Sequence, residues 1–182
     1  MAQWWRDWGA ATPHWQAIIQ DFPDSRLTLD AFYHIACGYT TLAHTPEEAI
    51  AVIEPHAKSG PAVKQASALL VLEILYRESH LGAEAHAARE RLRTEFPASR
   101  DVDDLALQLE ECAKKWWWFK PHTERTYSQG AALAENGLLL NAAPRWQSRI
   151  KLQVAENWRL AGKHQVALEW YGRIRTDDPK WE

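Results

Sequence analysis

The residue types best suited to metal binding or catalysis fall into three small groups in this 182-residue chain. His34 and Cys37 are three residues apart, so both would lie on one face of a helix, a spacing that can hold a metal ion. A structural zinc site needs about four such ligands, and no second pair lies at a matching interval. We therefore interpret the pair as a half-buried histidine beside a small core thiol, and we predict no metal site.

The other two groups have simple structural explanations. His80 and His86 lie on either side of a predicted turn at Gly82, where both imidazoles would be solvated. Three carboxylates lie close together where a helix is predicted to begin, and negative charge at that position interacts favourably with the helix dipole. They are Asp101, Asp103 and Asp104.

No catalytic motif occurs in the sequence. It lacks a glycine-rich dinucleotide-binding loop, a phosphate-binding loop, the His-Glu-x-x-His metal motif and the Gly-x-Ser-x-Gly nucleophile motif. We therefore predict a protein that is not an enzyme, with no catalytic residue and no cofactor.

Tryptophan is concentrated in two stretches. Of the 11 tryptophans in the chain, four lie in the opening segment, at Trp4, Trp5, Trp8 and Trp15. Three more are consecutive and are flanked by lysines, in the run Trp116, Trp117, Trp118 with Lys114, Lys115 and Lys120. Consecutive helical side chains point about 100° apart, so one buried stripe cannot cover all three indoles.

Three interpretations of the 116–118 run stay open. The segment could fold back and bury its own aromatic rings, or it could be a protein-binding hot spot, where tryptophan beside cations is common. It could also stack on single-stranded nucleic acid or on sugar rings. A membrane-surface anchor is less favoured, because the apolar face is short.

The charge distribution is uneven. The net charge is −3, yet residues 1–113 carry −8 and residues 114–182 carry +5. The isoelectric point near 6.2 argues against a general nucleic-acid binder. Two cysteines cannot form a disulfide framework, and no apolar run reaches the length of a membrane span. We expect a cytoplasmic protein as the sequence stands, or a periplasmic one if an export signal has been removed.

Prolines recur at an interval typical of helical repeats. Five of the nine prolines lie in predicted turns at spacings of 38, 36, 47 and 35 residues, at Pro23, Pro61, Pro97, Pro144 and Pro179. A period in the mid-thirties is characteristic of helix–turn–helix repeats. Between the prolines the apolar residues have helical periodicity, as in Phe32, Ile35, Ala36 and Tyr39. Thr45-Pro46 predicts a helix start and Gly162 a helix end, and no segment alternates like a strand. The predicted fold class is all-α.

On these residues the chain resembles the tetratricopeptide repeat family. The pattern of bulky, small and aromatic positions is met in the first full unit by Phe32, Ala36, Tyr39, Ala49 and Ile53. In the last unit it is met by Ala155, Trp158, Ala167, Tyr171 and Pro179. The Phe-Pro-Asp-Ser turn at residue 22 is most similar to tetratricopeptide proteins of the bacterial envelope, of the outer-membrane assembly and Tol–Pal-associated types. The second unit departs from the pattern with Glu73 at a small-residue position, and the third is about ten residues too long.

The resemblance implies one domain built as a right-handed α-solenoid of about four helical hairpins. After Trp-rich opening helices at 1–21, the units would span 22–60, 61–97, 98–144 and 145–182, with the third interrupted by the aromatic insertion. Tryptophans left exposed at the ends of a solenoid would promote aggregation, so we expect Trp4, Trp5, Trp8 and Trp181 to pack either internally or against another copy. An acidic front and a basic back favour head-to-tail contact between copies.

The predicted function is a non-enzymatic adaptor or assembly subunit that binds a protein or peptide partner. We expect Tyr33, Tyr39, Arg77 and Arg159 on the concave face, together with Trp116, Trp117, Trp118 and Lys120 as an exposed anchor. The alternative is a bacterial envelope factor that binds glycan or lipid surfaces through exposed tryptophans.

Overall fold

The computed structural model describes residues 8–25, 27–40, 45–98, 100–115 and 123–177. Within these ranges the chain forms nine α-helices and no strand, which confirms the all-α fold class. None of these helices combines the length and the apolar character needed to cross a membrane. The described residues include neither the 116–118 tryptophans and Lys120 nor Trp4, Trp5 and Trp181.

The chain divides into two compact units, Met1–Phe96 and Pro97–Glu182, which we call the first and second units. The division falls where the predicted 61–97 and 98–144 hairpins meet. The first unit contains five helices: α1 Trp8–Asp21, α2 Leu27–Gly38, α3 Pro46–Lys58, α4 Ala62–Glu78 and α5 Gly82–Glu95. The second contains four: α6 Arg100–Lys115, α7 Glu124–Gly137, α8 Pro144–Leu160 and α9 His164–Asp177.

One central helix organises the core of each unit. In the first unit α4 packs against α2, α3 and α5, and every residue from Ala66 to Glu73 is buried. In the second unit α8 packs against α6, α7 and α9, with Ile150, Val154 and Ala155 buried. Because α4 is covered on nearly all sides, it has apolar residues around its whole circumference instead of along one stripe.

Two predicted helix boundaries are confirmed, the start of α3 at Pro46 and the end of α8 at Gly162. Pro46 occupies the first turn of α3 and Thr45 precedes it, although the Thr45 hydroxyl forms no capping hydrogen bond in the described structure. The Thr45 carbonyl instead accepts the N–H groups of Glu48 and Ala49. Gly162 has φ 76° and ends α8 in the left-handed conformation, as predicted.

The turn between α4 and α5 in the first unit has the same backbone geometry as the turn between α8 and α9 in the second. After α4, the N–H groups of His80 and Leu81 donate to the carbonyls of Arg77 and Tyr76. After α8, Gly162 and Lys163 donate to Arg159 and Trp158 in the same way. Both sets of bonds form a Schellman motif, with the left-handed residue at His80 in one case and Gly162 in the other.

The two central helices, α4 and α8, also begin with the same side-chain hydrogen bond. The side-chain amide of Gln65 donates to the carbonyl of Gly60, and that of Gln147 donates to the carbonyl of Ala142. Each pair of corresponding positions is 82 residues apart, and each central helix is 17 residues long. The α4–α5 and α8–α9 hairpins can therefore be compared position by position.

Candidate functional site

The residues predicted to face a partner lie in different environments. Tyr33 on α2 is buried, with 8% of its surface exposed, so its side chain belongs to the core of the first unit and offers little surface for binding. Tyr39 and Arg77 are half-buried, and Arg159 on α8 is exposed. Three of these residues belong to the first unit and one to the second, and the role of all four in binding stays a prediction.

His34 and Cys37 lie in different surroundings on α2. His34 stacks on Trp15 with the ring centroids 4.4 Å apart, and Cys37 is half-buried. His34 is exposed, where the sequence predicted a half-buried side chain, but partial desolvation of its ring still lowers the pKa of His34, while the Asp30 carboxylate acts in the opposite direction. In the part of the chain that the structure describes, no three His, Cys, Asp or Glu side chains are grouped as metal ligands.

The predicted carboxylate group contains a residue with a specific contact. Asp103, in the first turn of α6, accepts the N–H of Ala143 at 2.7 Å, just before α8 begins. Asp104 is exposed, as expected of a residue that interacts only with the helix dipole. Asp103 therefore connects the starts of α6 and α8, a long-range contact that helix-dipole reasoning did not predict.

An exposed stripe runs along the length of α8. It contains Arg145, Arg149, Leu152, Arg159 and Leu160, which we call the α8 face. Their successive separations are 4, 3, 7 and 1 residues, and at about 100° per residue all five lie within about 100° of the helix circumference. The α8 face therefore presents arginine and leucine side chains on a helix whose opposite side is buried.

Neighbouring side chains hold the arginines of the α8 face in place. Arg149 donates to Glu110 on α6 at 2.8 Å, and Glu110 is buried. Arg159 pairs with Glu156, which also accepts the hydroxyl of Tyr171. Burial alone would raise the pKa of Glu156, but the hydrogen bonds from Tyr171 and Arg159 outweigh it and the pKa is lowered.

Trp146 lies between two of these arginines. The guanidinium carbons of Arg145 and Arg149 lie 5.0 Å and 5.1 Å from the centroid of its half-buried ring. Both distances are within the range of a cation–π interaction. The N-terminal end of the α8 face is thus an arginine–tryptophan cluster, and these residue types are enriched at protein interfaces.

A second candidate site is a pocket at the turn between α4 and α5. It has a volume of about 290 Å³, and four of its lining side chains are basic. The lining residues are Arg77, His80, Gly82, Ala85, His86 and Arg89. Both histidines are exposed, as the sequence predicted. The sequence did not indicate that they converge with two arginines.

A buried carboxylate lies beneath this pocket. The side chain of Glu73 is 0% exposed and accepts the Nε–H of Arg89 at 2.6 Å. A nitrogen of Arg77 lies 3.7 Å from the other carboxylate oxygen. Glu73 was visible in the sequence only as an acidic residue at a small-residue position, and its main partner is 16 residues away on the next helix.

The α4–α5 pocket has residues that the α8–α9 hairpin lacks. At the positions of Glu73, His80 and Arg89, the α8–α9 hairpin has Ala155, Gly162 and Tyr171. A signal for this correspondence was present in the sequence: Arg-Leu-Arg-Thr at residues 91–94 recurs as Arg-Ile-Arg-Thr at 173–176. The two hairpins therefore share a backbone turn, and only the first has the buried carboxylate with the basic cluster.

Comparison with known proteins identifies no relative: no protein-family model, curated protein or solved structure matches this chain.

Proposed function

We propose that this chain is a non-enzymatic interaction module that binds a protein or peptide partner. The observation that carries the proposal is the α8 face, where exposed arginines and leucines lie on a helix anchored by three neighbours. Arginine and tryptophan are typical of interface hot spots, and a helix fixed from behind loses little entropy on binding. A partner that fits this face would present acidic and apolar side chains together.

The helix packing supports a repeat arrangement of the tetratricopeptide type. In the first unit α2 packs on α4, the next helix but one, and in the second α6 packs on α8 in the same way. Stacked helical hairpins make such contacts between the first helices of successive hairpins. In this arrangement α2, α4, α6 and α8 would be the first helices of four hairpins, and the α8 face would lie on the first helix of the last one.

Buried small residues support the same proposal. Ala36, Ala155 and Ala167 are almost fully buried, at the positions where the repeat pattern places small side chains. Trp158 is half-buried, and its Nε1–H donates to Glu135 on α7 at 3.1 Å. A small residue next to a large aromatic one allows close helix crossing, as the repeat requires.

The test uses a double variant of the α8 face, Arg145→Glu with Leu152→Asp. Neither side chain is buried, so the fold should persist. Proteins captured from cells of the source organism at moderate salt would be quantified by mass spectrometry, and each candidate purified and titrated against the chain. We expect the variant to weaken binding of the partner by roughly tenfold or more, as for hot-spot residues.

The matched control is Arg93→Glu with Leu168→Asp, which changes charge and polarity equally at exposed positions outside the α8 face. It should bind the partner as the unaltered chain does. If the two double variants weaken binding equally, or if neither weakens it, the α8 face is not the binding surface.

A further inference from the structure

We infer that the α4–α5 pocket binds an oxyanion, a carboxylate or phosphate group that its two arginines and two histidines would contact. This site lies in the first unit and does not depend on what the α8 face binds. Guanidinium and imidazole N–H groups are the usual donors to such groups, and the guanidinium fork matches two oxygens of a carboxylate or phosphate.

The donors in the pocket are available to a ligand. The 3.7 Å separation between Arg77 and Glu73 is too long for a hydrogen bond, so the Arg77 guanidinium can still donate. Arg89 uses its Nε and one terminal nitrogen on the same oxygen of Glu73, which leaves its other N–H groups. Within the described structure neither His80 nor His86 forms a side-chain hydrogen bond, and both are exposed.

Glu73 orients the arginines without cancelling the charge of the pocket. One buried carboxylate faces two guanidinium groups, so the three side chains together carry a net charge of +1. Among the nearby acidic side chains, Glu90 pairs with Arg93 at 2.9 Å, and Glu78 and Glu84 are exposed, where solvent and salt screen their charge. An anion entering the pocket would therefore meet positive charge held in a fixed position.

Two local features of this hairpin are unfavourable for folding. His80 has φ 60°, a left-handed conformation that glycine adopts without strain, and the matched hairpin has Gly162 there. Glu73 is an ionised residue type in a buried position where the matched hairpin has Ala155. The turn itself requires neither residue, because the α8–α9 hairpin makes the same turn without them. Unfavourable residues gathered at one pocket are typical of a functional site.

The test is a titration of the full chain with two probes, inorganic phosphate and succinate, at constant ionic strength. Imidazole proton–carbon correlation spectra report His80 and His86 directly, and the exposed His14 and His164 are internal controls. We expect saturable shifts at His80 and His86 and none at the controls. Saturation with phosphate alone assigns a phosphate group, with succinate alone a carboxylate, and with both a general oxyanion site.

Two variants separate binding from folding. Arg77→Gln removes one donor and should weaken binding of the probe by roughly fivefold, since a hydrogen bond to a charged group is lost. His80→Gly should also weaken binding, now reported by His86, while it raises the thermal unfolding midpoint because the left-handed strain is relieved. Arg93→Gln is the control and should bind like the unaltered chain.

The proposal is overturned if neither probe shifts His80 and His86 in a saturable way, or if all four histidines shift alike. It is also overturned if Arg77→Gln and His80→Gly bind the probes as tightly as the unaltered chain. A His80→Gly variant that unfolds more easily would instead show that the imidazole serves the turn.

Discussion

Glu73 and Arg89 depend on each other unequally, because one is buried and the other is not. The Glu73 carboxylate is fully buried, whereas 37% of the Arg89 side chain is exposed. Without Glu73, Arg89 could be solvated by water, but without Arg89 the carboxylate would lose its closest partner in a place that water does not reach. The free energy of unfolding should therefore respond differently to the loss of each partner.

We predict that Arg89→Met lowers the free energy of unfolding by about 3 kcal/mol, because it leaves a buried carboxylate without its main partner. Glu73→Gln keeps the volume and a hydrogen-bond acceptor, so it should cost about 1 kcal/mol. Urea denaturation of both variants measures the difference. Equal losses would mean that water reaches Glu73, and the ion pair would then behave like one at the surface.

The raised pKa of Tyr76 should make the free energy of unfolding depend on pH in the alkaline range. Burial and the hydrogen bond to Glu54 raise the pKa of Tyr76 to about 12 from an ordinary value of 10. The unfolded chain therefore loses this proton first as the pH rises. The stabilisation by the Tyr76 hydroxyl is present in full below about pH 10 and is lost as the pH rises through about 12.

Tyr76→Phe isolates this contribution from those of the other tyrosines. At pH 8 the variant should be less stable by about 1 kcal/mol, because the 3.1 Å hydrogen bond to Glu54 is lost. Denaturant unfolding at a series of pH values should show this difference shrinking between pH 10 and 12. A difference that stays constant over that range would contradict the raised pKa.

The two hairpin turns hold residues of different types in the same left-handed conformation, His80 in one and Gly162 in the other. The Schellman geometry after each central helix places one residue in the left-handed region, where a Cβ atom is strained. At Gly162 a Cβ would have open space around it, so any cost of substitution comes from the backbone alone. Gly172 within α9 also has open space, but it is not left-handed.

The same substitution at these two glycines should have opposite effects. Gly162→Ala should lower the free energy of unfolding by roughly 1 kcal/mol, because alanine disfavours the left-handed conformation. Gly172→Ala should raise it by roughly 0.5–1 kcal/mol, because alanine favours the helix. Thermal unfolding of both variants provides the comparison. A stabilising Gly162→Ala would mean that α8 ends without the left-handed turn.

Charge is unevenly distributed over the whole chain. Residues 1–113 carry −8 and residues 114–182 carry +5. Opposite charges on different parts of one chain favour contact between copies, and salt weakens such contact because it screens the charges.

We therefore predict a salt-dependent self-association. In sedimentation velocity at about 20 mM salt, the mean sedimentation coefficient should rise with protein concentration, and at about 300 mM it should remain near the monomer value. A dilution series at each salt concentration is the control for irreversible aggregation. Monomers at both salt concentrations, even in concentrated protein, would exclude the head-to-tail contact.

The sequence alone was sufficient for the features that depend on near neighbours. Helical periodicity in α2 and α8, the proline that opens α3 and the left-handed Gly162 follow from residues within a few positions of each other. Each is a local preference of the backbone or of one helix face, so it can be predicted without knowledge of the remaining chain.

The tertiary structure alone decided which distant residues meet. Glu73 meets Arg89 across 16 residues, Glu110 meets Arg149 across 39, and Asp103 meets the backbone of Ala143 across 40. In the sequence, the charged Glu73 at a small-residue position indicated a departure from the repeat pattern, but it did not identify Arg89 as the partner. Helix packing determines these contacts. A buried charge is stabilised by the side chain that the neighbouring helix places beside it, and residue spacing along one helix does not specify that side chain.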